Sequence, residues 1–477
     1  MNKPFPGRWW ALIALCLGTL MIVLDTTIVN VALPSIRTSL GFSETSLAWV
    51  VNAYILTFGG FLMLGGRLGD LFGPRRLFLV GLALFTVASL ACGLSGTQWE
   101  LITARAIQGV GGAIVSAVSL SLMMNLFTEP GERAKAMGYF GFIAAGGGSV
   151  GVLLGGVLTG TLDWHSIFLV NIPIGIIVFF LSLKLLPPPP EAASGKVHLD
   201  LGGAFTLTAA LMLAVYAIVN GNVAGWLSVQ TLSLLAIAVA LLISFIVIES
   251  KVKAPLIPLD LFKLRNLATA NVIGVLWAAA MFASFFLSAL YLQLVLGYGP
   301  LQVGIAFLPT NIIMAVFSFS ISAKLVTKFG IKRPLSIGLF IAGAGVLLFS
   351  RMPIHASFVF DILPGMILLG IGAGVAFNPM LLAAMNDVRP NESGIASGIV
   401  NTAFMMGGAL GLAILASIAG ARTSQRIAAG TDQITALASG YHSAFFVGGL
   451  SAILGAILAA TVLTSKMQTS SQEHVGH

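Results

Sequence analysis

The chain is expected to be an all-α polytopic membrane protein. It should fold as two six-helix bundles with an inserted two-helix hairpin, fourteen transmembrane helices in all. Three observations predict this: the composition, the asymmetry of Lys and Arg between loops, and a weak internal repeat. Of 477 residues, 57% are apolar and only 8% charged, with a mean hydropathy of +1.01. That balance excludes a soluble domain.

A helix needs about 20 mostly apolar residues to cross a ~30 Å hydrocarbon core. Fourteen such stretches lie near 9–33, 46–66, 77–96, 99–125, 137–160, 165–186, 199–220, 228–248, 268–294, 301–323, 333–350, 357–382, 397–420 and 441–464. The even number puts both termini on one side. Loops on that side hold nineteen of the 24 Lys and Arg residues, among them Arg8, Arg67, Arg75, Arg76, Lys324, Lys332 and Arg333. Opposite loops hold four, Arg37, Arg351, Arg422 and Arg426. This split predicts cytoplasmic termini, and a miscount of one helix would scramble it. The net charge of +8 is therefore a topology signal and gives no reason to expect nucleic acid. Met1–Arg8 is basic, but the apolar stretch behind it has no small-residue cleavage site, so the first span is expected to stay.

The repeat is carried by two loops. Gly66 to Arg76 follows span 2, and Ala323 to Arg333 follows span 10. At an offset of 257, Arg67, Leu68, Phe72, Gly73, Arg75, Arg76 and Gly81 meet Lys324, Leu325, Phe329, Gly330, Lys332, Arg333 and Gly338. Residues 1–186 and 266–477 are thus expected to be related bundles. Residues 187–265 should hold a linker, opened by the extended run Pro187 to Pro190, and helices 7 and 8 as an unmatched hairpin.

Two charges fall well inside apolar spans. Asp25 lies 16 residues past Trp9, roughly 24 Å along a helix, and Pro34 is expected to end that helix. Arg105 enters span 4 from the other side, six residues after Trp99, or roughly 9 Å in. The depths match, so a pair is geometrically open, directly or through Gln108 or water. An ionisable residue in a membrane helix marks an ion pathway by default; the plainer alternatives are a hydrogen bond to a neighbouring helix or a structural salt bridge. In span 5, Gly151, Gly155 and Gly156 belong to a run of glycines at three- and four-residue spacing. That run suits tight helix contact, a sliding gate, or both. In the short loop after span 2, Arg67, Arg75 and Arg76 set topology, while Asp70 can face a helix N-terminus or a basic side chain and latch that side closed.

Neither a catalytic nor a metal constellation is evident. The six His residues are scattered without ligand spacing, and no Walker lysine follows a Gly-rich segment. Cys16 and Cys92 sit in apolar runs and read as core residues. No enzyme activity, metal or cofactor is expected.

The motifs Gly66–Arg76, Leu24–Ile36, Arg105–Gly112 and Asp163–Gly175, in this order and topology, resemble the major facilitator superfamily, and closely its fourteen-helix drug:proton antiporter group. The resemblance implies alternating access by two rocking bundles and proton-coupled export, with no cofactor. Asp25 matches the family's helix-1 acid and Arg105 its helix-4 arginine. It also implies a multi-pass protein of the bacterial inner membrane whose partners are protons, membrane lipids and a small lipophilic substrate, functioning as a monomer. Two departures stand out. Val152 replaces the proline of the family's Gly-Pro-x-x-Gly-Gly motif, and span 13 offers Asn401 but no acid, unlike exporters of dications. Neutral or singly charged lipophilic substrates are therefore favoured, as in multidrug efflux. A lipid or glycolipid exporter, or a dedicated metabolite or siderophore exporter, are the alternatives. The candidate cavity residues are Tyr54, Trp277, Phe282, Tyr291, Gln293, Asn311, Asn378, Asn401 and Met405, since aromatic faces, Met and sparse amides suit variable apolar ligands.

Overall fold

A computed structural model describes residues 7–43, 45–127, 129–187, 201–252, 255, 257–388 and 393–464. For Arg67, Asp70, Leu71, Leu201, Asn222, Ser393, Gly394 and several residues of 130–146 only the backbone is described. The helices are α1 Arg8–Leu40, α2 Trp49–Phe72, α3 Pro74–Gly93, α4 Gln98–Leu126, α5 Pro130–Thr161, α6 Ser166–Leu185, α7 Leu201–Ala224 and α8 Val229–Lys251. They continue as α9 Arg265–Val295, α10 Pro300–Phe329, α11 Lys332–Phe349, α12 Phe358–Met385, α13 Ser393–Ala428 and α14 Gln433–Thr461. Among the described residues, thirteen are long and apolar enough to span a membrane. The fourteenth, α5, is one continuous helix whose described apolar part is Gly147–Thr161.

The helices sort into two packed sets. In the first, α2 and α3 flank α4, while α1 packs on α5 and α6. In the second, α11 packs on α12 and α14, and α9 on α13 and α14. Close approach rests on small residues. A Cβ on Gly111 would stand 2.6 Å from the Phe85 nitrogen, and one on Gly372 2.3 Å from the Ala342 nitrogen, so α3–α4 and α11–α12 touch backbone to backbone. The two sets meet along α5–α10 and α2–α13. Helices α7 and α8 pack on each other, and α7 leans on α2 and α13, beside the bundles. Most of α8 faces outward, with Leu232, Val239, Ile243 and Ile246 exposed, as a lipid-facing helix requires.

The structure differs from the sequence expectation at several helix ends. Pro34 does not end α1: the helix runs through it to Leu40 and stops at Gly41, which takes the left-handed conformation, φ 70°. Proline removes only its own N–H bond, and Thr38 Oγ donates back to the Pro34 and Ser35 carbonyls. The expected ten-residue loop after span 2 is also absent. Here α2 runs to Phe72 and α3 starts at Pro74, so Gly73 (φ 87°) makes the whole turn. Its repeat partner Gly330 (φ 75°) sits between Phe329 and Ile331 in the same role. Both positions need glycine, since other residues pay for positive φ. Helix α13 is longer than expected, and Arg422 and Arg426 lie in its last turns, not in a loop.

Candidate functional site

Asp25 is fully buried and Arg105 is 1% exposed. The depth arithmetic brings them together: Arg105 Nη1 donates to Asp25 Oδ2 at 2.5 Å. Gln108, one turn on from Arg105 and so on the same face of α4, donates through Nε2 to Asp25 Oδ1 at 2.7 Å and to Ser89 Oγ at 2.8 Å. Its Oε1 accepts from Arg105 Nη1 at 2.6 Å. A third donor comes from α6, where Asn171 Nδ2 lies 3.1 Å from Asp25 Oδ1. The guanidinium is held further by the Val50 carbonyl of α2, 3.0 Å from Nε, and by the Tyr54 ring, whose centroid is 4.4 Å from Cζ. Charge pairing and hydrogen bonding are what make two buried charges tolerable; removing one partner of such a pair costs about 3–5 kcal/mol.

The glycines after Arg105 explain how α4 presents it. A Cβ on Gly109 would stand 2.4 Å from the Tyr54 carbonyl, so α2 lies against α4 there, and Thr57 Oγ donates across to the Ala106 carbonyl at 2.8 Å. The Arg105–Gly112 motif is thus a charge followed by a contact stripe.

A cavity of about 180 Å³ lies between the two helix sets beside this pair. Thr26, Thr27 and Asn30 of α1, Tyr54 of α2, Val152 of α5, Met281, Phe282 and Phe285 of α9, and Phe307, Asn311 and Met314 of α10 line it. Arg105 also reaches the cavity wall, whereas Asp25 is not among its lining residues. Arg105 therefore stands between the cavity and the carboxylate.

Of the proposed cavity residues, Tyr54, Phe282 and Asn311 are on the wall and the others are elsewhere. Trp277 is buried in α9. Tyr291 donates its hydroxyl to the Met352 carbonyl at 2.8 Å, tying α9 to the segment before α12. Gln293 donates to the Val31 carbonyl at 2.8 Å, a direct bond between the two helix sets. Asn378 bonds the Ser318 carbonyl of α10, Asn401 bonds Ser397 of its own helix, and Met405 packs where a Cβ on Gly59 would be 3.0 Å away. Sequence reading passed over Asn171, Ser89, Asn30, Phe285, Phe307 and the Met pair. Two of these carried a signal, as amides inside named motifs: Asn30 within Leu24–Ile36 and Asn171 within Asp163–Gly175.

The glycines of α5 divide between two neighbours. Cβ atoms on Gly151 and Gly155 would stand 2.0 Å from Thr27 Oγ and 2.8 Å from the Ile28 carbonyl, both on α1. One on Gly156 would stand 2.9 Å from the Pro300 carbonyl of α10. Gly304 of α10 returns the contact, 2.9 Å from the Val152 carbonyl. At the turn after α2, Arg75 Nη2 donates to the Leu183 carbonyl in the last turn of α6 at 2.5 Å, and Arg76 is exposed. The side chains of Arg67 and Asp70 lie outside the described residues.

A cavity between two related helix sets, flanked by a buried charge pair, defines a membrane transporter of the two-bundle class. The Major Facilitator Superfamily model matches residues 15–412, and the chain belongs to that superfamily. It is 38% identical to the puromycin resistance protein of Streptomyces alboniger over 98% of this chain and 94% of the relative. It is 36% identical to a cephamycin export protein of Amycolatopsis lactamdurans over the same shares. A multidrug resistance protein of Mycobacterium tuberculosis is 37% identical over 85% of this chain and 75% of its own length. Among solved structures, a bacterial homologue of the lysosomal transporter Spinster, inward-facing and occupied, superposes with a TM-score of 0.68 at 15% identity, over 96% of this chain and 97% of that one. That likeness concerns the fold.

Proposed function

We propose that the protein is a proton-coupled exporter of lipophilic, neutral or singly charged compounds, working by alternating access from the cytoplasmic membrane with both termini in the cytoplasm. Export is supported by the relatives, which are named for antibiotic resistance and export. The observation that carries proton coupling is the Asp25–Arg105 pair, one side chain removed from an apolar, aromatic cavity between the bundles. Asp25 is the proton carrier, and Arg105 relays its state to the cavity wall. Protonation of Asp25 leaves the guanidinium without its counter-charge, which favours rearrangement of α1 and α4 around the cavity. The α5–α10 contact at Gly156 and Gly304 and the Gln293–Val31 bond close the end of the cavity away from the termini in this state. The turn at Gly73, with Asp70 in the last turn of α2, serves as the gate at the other end.

A second reading, export of a lipid-like compound, is favoured by one feature. A crevice of about 220 Å³ between the α7–α8 hairpin and the second bundle is lined by Leu207, Leu211, Phe245, Ile257 and Phe262, with Thr402 the sole polar residue on its wall among the described residues. A transport screen in inverted vesicles, across dyes, antibiotics and lipids with and without a pH gradient, decides between the readings. Transport of dyes or antibiotics that collapses with the gradient supports multidrug efflux. Transport confined to lipids, or indifferent to the gradient, contradicts it.

A further inference from the structure

We propose that Asn171 is the residue through which Asp25 holds its proton: a positioning amide that donates to the carboxylate and, by turning over in place, accepts from the carboxylic acid. The inference rests on the reading of Asp25 as the proton carrier.

A carboxylate only accepts hydrogen bonds, and a carboxylic acid must also donate one. Around Asp25 there are three donors: Arg105 Nη1 on Oδ2, and Gln108 Nε2 and Asn171 Nδ2 on Oδ1. A proton arriving on Oδ1 therefore meets N–H groups and needs an acceptor. Arg105 has none. Gln108 has one, but its Oε1 already accepts from Arg105 Nη1 at 2.6 Å and lies 3.7 Å from Cys92 Sγ. Turning that amide over would also break its bond to Ser89. Asn171 differs on each point. It is 1% exposed, its Nδ2 has Asp25 as hydrogen-bond acceptor, and its Oδ1 is buried with no partner. Buried carbonyl oxygens are rarely left so, and each such atom calls for an explanation.

Rotation of the Asn171 amide about its terminal torsion, which is broad and roughly two-fold, exchanges Nδ2 and Oδ1 without moving the backbone. In the ionised state Nδ2 donates to Oδ1 of Asp25. In the protonated state the new O–H of Asp25 donates to Asn171 Oδ1, and Gln108 and Arg105 keep their mutual bond. The proton stays on Asp25 throughout. The other titratable groups facing the site are Arg105 from α4, Cys92 from α3 and Tyr54 from α2. From α6 the neutral Asn171 amide faces the site, and the helix's one charged residue, Lys184, lies in its last turn. Asn171 opens the main part of α6, directly after Val170, and α6 packs on both α1 and α3. The protonation state of α1 is thereby read by a third helix.

Hydrogen–deuterium difference infrared spectroscopy of the full-length protein across a pH titration tests this. The carbonyl stretch of protonated Asp25 is assigned as the band lost in Asp25→Asn. In Asn171→Leu the acid O–H has no acceptor, so that band is expected at higher frequency, and gradient-driven exchange is expected to slow about tenfold. Asn171→Gln, which keeps the acceptor, should return the band towards its wild-type position. If Asn171→Leu yields too little protein, Asn171→Val carries the same expectation. An Asp25 band present in wild type but unmoved in the Leu or Val variant overturns the role of Asn171 and leaves the proton carrier standing. A wild-type spectrum with no Asp25 band at any pH overturns the proton-carrier reading, and this inference with it.

Discussion

Gly156→Ala should unbalance the two end states of transport, and the structure gives the scale. The added methyl would stand 2.9 Å from the Pro300 carbonyl oxygen, 3.0 Å from Leu301 Cα and 3.4 Å from the Leu301 nitrogen. These are backbone atoms, so no side-chain rotation relieves the clash, and α5 and α10 must separate by roughly half an ångström. Overpacking of this kind costs about 1–3 kcal/mol. In the proposed alternating cycle the contact belongs to one state, so the cost falls on that state alone. Its population relative to the other then drops by about 5- to 150-fold. Gly160→Ala is the control: it lies on the same helix, one turn further on, and a Cβ there meets nothing within 4 Å. Spin labels on Ser43→Cys and Ala429→Cys, both exposed and in opposite halves of the chain, report the separation of the bundles at the end away from the termini; the native Cys16 and Cys92 are buried. Gly156→Ala should add a longer distance, and Gly160→Ala should match wild type. Identical distributions in all three would refute the assignment of the α5–α10 seam as a state-dependent seal.

Gln293→Leu removes the bond to the Val31 carbonyl and should shift the same distances in the same direction. The effect should be smaller, since a neutral hydrogen bond contributes about 0.5–1.5 kcal/mol. Arg105→Ala should abolish transport and lower the melting temperature measurably, because it leaves Asp25 buried without its counter-charge at a cost of about 3–5 kcal/mol; an unchanged melting temperature would contradict the geometry of the pair. Asp70→Asn should strongly reduce transport at unchanged membrane abundance, and unaltered kinetics would leave the α2–α3 turn a topology signal alone. At the N-terminus of α14, the Thr435 amide bonded to Asp432 holds that carboxyl below its ordinary range. Its capping contribution is present above the ordinary carboxylate range and is lost as pH falls through and below it. Protection of the Thr435 amide, its exchange rate taken relative to that of the unstructured chain at the same pH, should therefore fall in acid, and should be low already at neutral pH in Asp432→Ala.

Much of the fold was legible because the bilayer imposes a length and a polarity on each helix. Span count and the two-set architecture follow from hydropathy, from Lys and Arg placement and from the offset between Gly73 and Gly330. The Asp25–Arg105 contact was legible as well, since rise per residue converts sequence position into depth. What was not legible depends on rotation about helix axes and on competition at helix ends. Tyr291 is nine residues past Phe282, roughly half a turn around α9, so one lines the cavity and the other faces Met352. A proline six residues from a helix end could stop α1 or be carried through, and the Thr38 back-bonds were not visible in the pattern. Asn171 was seen as part of a motif, but its partner is 146 residues away, a distance that only the packing of α6 on α1 closes.

The most direct test is gradient-driven accumulation of a lipophilic dye in inverted vesicles carrying the wild type or Asp25→Asn at matched abundance. Imposing a pH gradient should drive uptake by the wild type, and collapsing the gradient should abolish it. Asp25→Asn should still bind the dye, yet show no response to the gradient. Accumulation by Asp25→Asn at the wild-type rate would place the proton path elsewhere and reduce the buried pair to a structural salt bridge.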